Sequence, residues 1–507
     1  MKKKLFVLIL SVCLIAGFAT GCGGDSGDSG GSAEFGDTLR VASATDVSTF
    51  DPTKFTDLQT QLGVTAIYSR LVKFDKDLNI VNDVAESYEN ISDLEWKFKL
   101  KEGVKFHDGT ELKAEDVKAS LERVKDEPLM AHIVEQIDEI TCPDDYTVII
   151  KTKKPYAPLL NNLADPSCSI LPKKLIDEGN DFNKNPVGSG PYTFTEWSPG
   201  EKAVLTKFED YFNKDEASQF EKVELRVIPE GSSRTIALET GEVDIITTLE
   251  TVDYSRVNEN EDLEIYETTA NQVYYLVGNE DKEPFNNLKF RQALEYAIDK
   301  EAVVAASQDG KGDILESVLP QKVAGYIDYD YEYNPEKAKQ LLKESGYKQE
   351  EGSKIILNTM SEMNTKMAQV IQSNLSDIGI EVEIEQKTVA THMENCGLGN
   401  FTLGIGGWST APDPDRFLRP MFHKESIGTN NFARYDNDEV SQMIDDAVGI
   451  MDEEERAAAY EKINEKLMED AVIVPITGRV IMVGYQKGLQ NVYMDPTFGM
   501  EFSTIRY

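Results

Sequence analysis

An uncharged apolar run from Leu5 to Thr20, preceded by Lys2, Lys3 and Lys4 and followed by Gly21 and Cys22, decides where the rest of this chain has to fold. A basic start, a short apolar stretch and small residues at its end form a secretion signal. The run is shorter than the ~20 residues a helix needs to cross a bilayer. The next segment, Gly23 to Ser32, is polar and Gly/Ser/Asp-rich rather than a basic stop-transfer flank. Removal of residues 1–21 is therefore expected, with the body folding outside the cytoplasm. The 507 residues less those 21 leave 486, more than one compact core organises, so two or more lobes are expected.

The stretch Ala19 to Cys22 resembles the lipobox of bacterial lipoproteins, in which the Cys after the cut is acylated, although Ala19 stands where Leu is usual. Two or three acyl chains on Cys22 would anchor the protein stably where one would not. Residues 22–36 would then act as a flexible tether. The net charge of −38 becomes −41 once the three leader lysines are gone, which disfavours nucleic acid and anionic lipid surfaces as partners. With Cys13 in the leader and Cys22 at the anchor, Cys142, Cys168 and Cys396 remain. Their spacing matches no metal or redox pattern, and at most one disulfide can form among the three.

Beyond the tether there is no repeat and no second apolar stretch of membrane length. Strand and helix signals alternate. Leu94, Trp96, Phe98 and Leu100 recur with period two, and Ala114, Val117, Leu121 and Val124 at helical spacing. Asn334 caps a predicted helix that begins with Pro335, buries Ala338, Leu341 and Leu342, and stops at Gly346. Met367, Val370, Ile371 and Leu375 form the apolar face of another, ended by Gly379, after which Ile380, Val382 and Ile384 alternate as a strand. A helix carrying Tyr460, Ile463 and Leu467 leads into the apolar strand Val472–Ile476. The fold class is mixed α/β.

Catalytic chemistry finds no constellation here. The four histidines, His107, His132, His392 and His423, are widely spaced with no two-His metal motif, and each reads as a surface or hydrogen-bonding residue. Gly404 to Gly407 lacks the capped helix and downstream acidic residue of a dinucleotide site. Gly188 to Pro191 lacks the Lys of a phosphate loop, and its glycines are read as allowing a tight turn. No Ser stands in a GxSxG elbow. Neither an enzyme nor a resident cofactor or metal is expected.

Five segments in order carry a resemblance. They are Thr49 to Pro52 with Ile67, Tyr68 and Leu71; Phe106 to Gly109 with Ala114, Asp116, Val117, Ser120 and Arg123; Val187 to Tyr192 with Trp197, Tyr211 and then Leu238 to Ile245; Phe285 to Lys300; and Gly406 to Leu418. From about Leu39 onward the chain is similar to the peptide and nickel solute-binding proteins of ABC importers, the family of dipeptide- and oligopeptide-binding lipoproteins. Most of the motif residues have structural readings: Asp108 and Gly109 a turn, Asp116 near a helix start where a carboxylate suits the dipole, Arg291 and Asp299 ion pairs or caps.

The resemblance implies a two-lobed periplasmic-binding-protein-like clamp of type II, with an extra subdomain in the first lobe. Lobe I would comprise residues 37–270 with an inserted subdomain at about 74–187, lobe II residues 271–474, and residues 475–507 a return to lobe I. The crossings are expected near Thr269–Gln272 and Val474–Thr477. A peptide would bind in the interlobe cleft, and ABC permease subunits in the membrane would read the closure of a lipid-anchored monomer at the outer face of the cytoplasmic membrane, the periplasmic side in a diderm cell.

Ligand-binding candidates are Thr45, Asp46, Tyr275, Met360, Ser361, Trp408, Ser409, Thr410, Ala411 and Asp413. In peptide-binding members an Asp three residues after the Trp of the fifth segment holds the peptide's ammonium; here that position is Ala411. Asp413 could reach the same space from a shifted loop, or serve with Asp415 as a turn residue before Phe417. The Arg with which dipeptide binders grip a carboxylate is also missing, Met360, Ser361 and Glu362 coming after the strand Ile355–Thr359. Longer peptides held through their main chain remain the leading ligand. The alternatives are a glutathione-like or opine-like solute, a nickel chelate, or a role as a peptide-sensing receptor.

Overall fold

The structure, a computed structural model, describes residues 35–329 and 331–507. The leader, Cys22 and the tether up to residue 34 lie outside the described residues.

Two mixed sheets organise the chain. The first has seven strands in the spatial order Leu263–Thr269, Val480–Gln486, Ile245–Ile246, Thr38–Ser43, Lys222–Val227, Lys202–Lys207, Tyr192–Ser198. Thr38–Ser43 runs parallel to both of its neighbours, and the remaining pairs are antiparallel. Alternation along these strands feeds two cores. Leu39, Val41, Ile245 and Val483 enter one face, and Ala42, Ile246 and Met482 the other. The second sheet has five strands in the order Val382–Gln386, Ile355–Thr359, Leu403–Ser409, Gln272–Gly278, Ile473–Thr477. Val273, Tyr275 and Val277 pack on one side of it and Leu276 on the other.

The chain leaves the first sheet at Thr269 and enters the second at Gln272; it leaves the second at Thr477 and is back in the first by Val480. A separate four-stranded antiparallel sheet, Ala85–Ser92, Glu95–Leu100, Thr147–Thr152 and Ile137–Asp144 in spatial order, packs with helix Ala114–Asp126 around its own core of Phe98, Val117, Leu121 and Val148. The molecule is thus two lobes of α/β structure with an extra subdomain on the first.

Local chemistry accounts for the helix limits. Asn334 Oδ1 accepts from Lys337 N at 3.0 Å, Pro335 opens the helix Pro335–Ser345, and Gly346 closes it at φ +77°. Asp116 accepts from Lys113 N at 2.8 Å and Asp299 from Ala302 N at 2.9 Å, each at the first turn of its helix. One glycine reading changes. The backbone of Gly188 and Gly190 is ordinary in φ, and what it needs is room, because a Cβ there would fall 2.2 Å from Ile67 O and 2.6 Å from Ile67 C respectively. Gly406 lies in a strand where a Cβ would meet the Tyr275 ring at 2.5 Å. The histidines are also more internal than their sequence suggests: His107, His392 and His423 are all held by hydrogen bonds in buried or partly buried settings. Cys142, Cys168 and Cys396 are free thiols.

Candidate functional site

Between the lobes lie two cavities that both reach Asp57 and Leu58 at the start of helix Leu58–Ile67. The smaller, about 360 Å³, is closed on the second-lobe side by Trp408, Ser409, Thr410, Ala411 and Arg416, and on the first-lobe side by Phe55, Arg70, Met130, His132, Asp165 and Met500, among others. The larger, about 680 Å³, is lined by Thr45, Thr247 to Val252, Arg479 and Phe498 of the first lobe and by Gln308, Glu362, Met363 and Lys366 of the second. Volumes of this size suit an organic solute rather than an ion.

Local bonding sets the floor of the smaller cavity. Trp408 ends the strand Leu403–Ser409 half-buried, its Nε1 donating to Arg416 O at 2.9 Å, so the indole is fixed and one side of it is left to the cavity. Thr410 O accepts from Asn271 Nδ2 at 2.7 Å, tying the loop after Trp408 to the first crossing. On the outer side of this strand, Ile355–Thr359 pairs only at Leu357 with Leu403 and Asn358 with Gly404. Among the described residues Gly406 to Ser409 consequently have no strand partner on that edge, which reaches the cavity at Trp408 and Ser409.

Of the sequence-predicted residues, Thr45 lies on the larger cavity and Trp408 to Ala411 on the smaller. The others line neither cavity. Asp46 accepts from Trp197 Nε1 at 3.1 Å and Gly200 N at 2.7 Å. Tyr275 is core, its ring over Gly406. Ser361 caps helix Glu362–Asp377 by accepting from Asn364 N at 3.1 Å, and Met360 precedes it; the cavity is met instead by Glu362, Met363 and Lys366 one turn on. Asp413 is 0% exposed: it caps helix Pro414–Phe422 through Asp415 N at 2.9 Å and takes Asn161 Nδ2 at 3.0 Å and Arg456 at 3.4 Å. Its carboxylate is used up inside the protein.

The Asn161–Asp413 bond crosses the lobes, as do Ala157 N to Val448 O at 3.0 Å and Arg416 to Asp165 at 3.4 Å. Together they clasp the subdomain to the second lobe. Asn161→Ala removes one clasp without touching a cavity wall, and a hydrogen bond to a charged group contributes about 1.5–3 kcal/mol. The variant is expected to show a larger radius of gyration by small-angle scattering in the unliganded state, and weaker ligand binding with an unchanged fold by circular dichroism.

Electrostatically the smaller cavity is mixed. His132 is held below the usual histidine range by burial and by the nearby Arg416, so the ring is neutral at pH 7. Asp495 is pushed up by burial although its Oδ1 accepts from Thr497 N at 2.7 Å and Gly499 N at 3.1 Å. Arg70, which no sequence pattern singled out, sits in this wall; with Lys73 it is one of two cations in the largely apolar run Ile67 to Phe74. In the larger cavity the Arg479 guanidinium lies over the Phe498 ring, 5.7 Å from its centre.

Two α/β lobes joined by two crossings, with a solute-sized cleft between them, define a type II periplasmic-binding-protein clamp. Residues 79–429 match the family model "bacterial extracellular solute-binding proteins, family 5 Middle", and the chain belongs to that family of substrate-binding proteins. It is 31% identical to the oligopeptide-binding protein AppA of Bacillus subtilis (strain 168) over 92% of each chain. Among solved structures it is similar to HbpA2 of Haemophilus parasuis, with TM-score 0.83, 26% identity, and 92% of this chain and 99% of that one covered. It is also similar to the periplasmic binding protein DppA of Helicobacter pylori in complex with the peptide STSA, with TM-score 0.77, 30% identity and coverages of 92% and 97%.

Proposed function

We propose that this protein is the extracytoplasmic peptide-binding component of an ABC importer, receiving a peptide in the interlobe cleft and presenting it to membrane-embedded permease subunits. The observation that carries the reading is the unpaired strand edge that reaches the cleft at Trp408 and Ser409. A peptide can add to such an edge through its main chain, with side chains accommodated in flanking pockets, so affinity need not depend on sequence. The relatives named for oligopeptides and the neighbour holding a peptide support the same assignment.

In this reading lobe I runs over residues 37–270 and 475–507, with the subdomain at about 74–187, and lobe II over 271–474. Thr45 and Trp408 to Ala411 are the sequence-predicted residues that would meet ligand. Cleavage before Cys22 and its acylation would tether a monomer to the outer face of the cytoplasmic membrane, and transfer needs neither catalysis nor a cofactor. Closure is favoured in proportion to the ligand's preference for the closed state.

Native mass spectrometry of protein purified without refolding is expected to show retained peptides. After their removal, a pool of synthetic peptides at about a hundredfold above Kd should stabilise the fold by about 2.7 kcal/mol, read as a rise in Tm. A retained non-peptide solute together with no response to peptides would refute the assignment.

A further inference from the structure

One cation in the smaller cavity makes no ion pair with any described residue. Arg70 is 7% exposed and lines the cavity, yet among the described residues its guanidinium has one hydrogen-bond partner, a neutral one: Nη1 donates to Ala164 O at 2.9 Å. Its buried Nε has no acceptor. The buried Asp83 is near enough to attract the Arg70 charge and is shared with Lys73, but its hydrogen bond, 2.7 Å, is to the Arg70 backbone N–H and not to the side chain. Burying an ionised group without a partner is costly, and a guanidinium cannot escape by losing its proton.

The carboxylates around the cavity are already engaged. Asp57 takes Thr60 N, Thr60 Oγ1 and Ser48 Oγ at 2.7–2.9 Å. Glu501 faces Lys73 at 3.4 Å, and Asp495 accepts from its own loop. Asp165 accepts from Ser167 N and Oγ, and meets Arg416 only at 3.4 Å. Arg416 itself is loosely held, its other acceptor being Asn162 Oδ1 at 3.5 Å. Arg70 and Arg416 are thus anchored to the consecutive residues Ala164 and Asp165, one from each lobe, and both line the cavity with hydrogen-bonding capacity to spare. The neighbouring Ala411 brings no charge to oppose an anion.

We propose that this end of the cleft is a carboxylate subsite, in which Arg70 of the first lobe and Arg416 of the second receive a carboxylate of the solute. The guanidinium fork matches a carboxylate in shape and charge. An anion touching one arginine from each lobe is bound fully only when the lobes are together, so the subsite couples recognition to closure. That the carboxylate is a peptide's C-terminus rests on the peptide assignment; the anion preference does not.

The test compares two synthetic tetrapeptide pools lacking Asp and Glu, one with free C-termini and one amidated, by thermal shift and calorimetry on ligand-stripped full-length protein. Succinate, citrate and N-acetyl-leucine are run alongside. Wild type is expected to bind the free-acid pool at least roughly tenfold more tightly. Arg70→Met and Arg416→Gln should erase the difference, and Arg70→Lys should restore part of it. A merely structural Arg70 would lower the Tm of the unliganded protein while leaving the acid-to-amide ratio intact. Equal binding of both pools by wild type overturns the subsite and leaves peptide binding standing. If neither pool binds, the peptide assignment falls and the small carboxylates decide. A shift seen with them in wild type and lost in both the Met and Gln variants supports the subsite; no shift with any of them overturns it.

Discussion

Gly188→Ala is expected to cost about 3 kcal/mol or more, at the severe end of single substitutions, and to leave little soluble protein at 37 °C. The added Cβ would stand 2.2 Å from Ile67 O and 2.6 Å from Tyr68 Cδ1. Neither can give easily. Ile67 O already accepts from Gly190 N at 2.9 Å, and Tyr68 is a buried ring whose hydroxyl donates to Phe50 O at 3.1 Å. The same few residues hold His107 of the second motif. Gly188 O accepts from His107 N at 2.8 Å, Gly188 N lies 3.3 Å from His107 Nδ1, and Gly190 O lies 3.1 Å from its Nε2. With Nδ1 accepting and Nε2–H donating, the ring is neutral, and burial pushes its pKa down to about 4. Displacing Gly188 therefore loosens the end of helix Leu58–Ile67 and the seat of the subdomain together. Gly36→Ala, with no atom within 4 Å of the new Cβ and ordinary φ, serves as the control and should leave Tm unchanged. Urea denaturation of the two variants beside wild type measures the difference; equal midpoints would show that the joint tolerates a methyl group.

That joint also shows what a single sequence can and cannot disclose. The punctuation of helix Pro335–Ser345 by Asn334 and Gly346 was readable because capping acts over three or four residues. The period-two signal of Leu94 to Leu100 was readable because successive side chains of the strand Glu95–Leu100 face opposite ways. The family motifs were readable as motifs, but their meetings were not. Arg123 donates to Asp51 at 2.6 Å across 72 residues, joining the second motif to the first. His107 meets Gly188 and Gly190 across about eighty. The candidate site divides in the same way. Trp408 to Ala411 could be placed because the motif marks them, whereas the fate of Asp46 and Asp413 turned on Trp197 and Asn161, 151 and 252 residues away. Arg70 escaped notice because a cation in a largely apolar run has no signature until the fold shows that no described acid pairs with its guanidinium.

Glu295, in the fourth motif, presents the opposite case, a buried acid whose two carboxyl oxygens have no hydrogen-bond partner among the described residues. It is 0% exposed on helix Leu288–Ala297, and burial pushes its pKa up to about 8 despite the attraction of Lys300. An unfolded glutamate titrates near 4.3. The folded state therefore holds this proton more tightly than the unfolded one. The stability it contributes is fully present below about pH 4 and is lost as pH rises toward the folded value near 8, beyond which the loss is complete. Glu295→Gln carries the uncharged shape at every pH and removes that slope. Thermal and urea unfolding from pH 5 to 9 should show the variant close to wild type at pH 5 and more stable by about 2–4 kcal/mol at pH 9, a shift of nearly four units bounding the effect from above at 1.36 kcal/mol per unit. His107 tilts the other way, its depressed pKa removing stability as pH falls from about 6.5 to 4, and should do so equally in both proteins. Parallel curves for wild type and Glu295→Gln between pH 5 and 8 would mean that Glu295 is already ionised across that range, its charge met by Lys300, whose Nζ also donates to Leu315 O at 3.0 Å. Diverging curves would place a proton on a carboxyl group inside the second lobe of a protein whose family works outside the cytoplasm, where no cytosol buffers it.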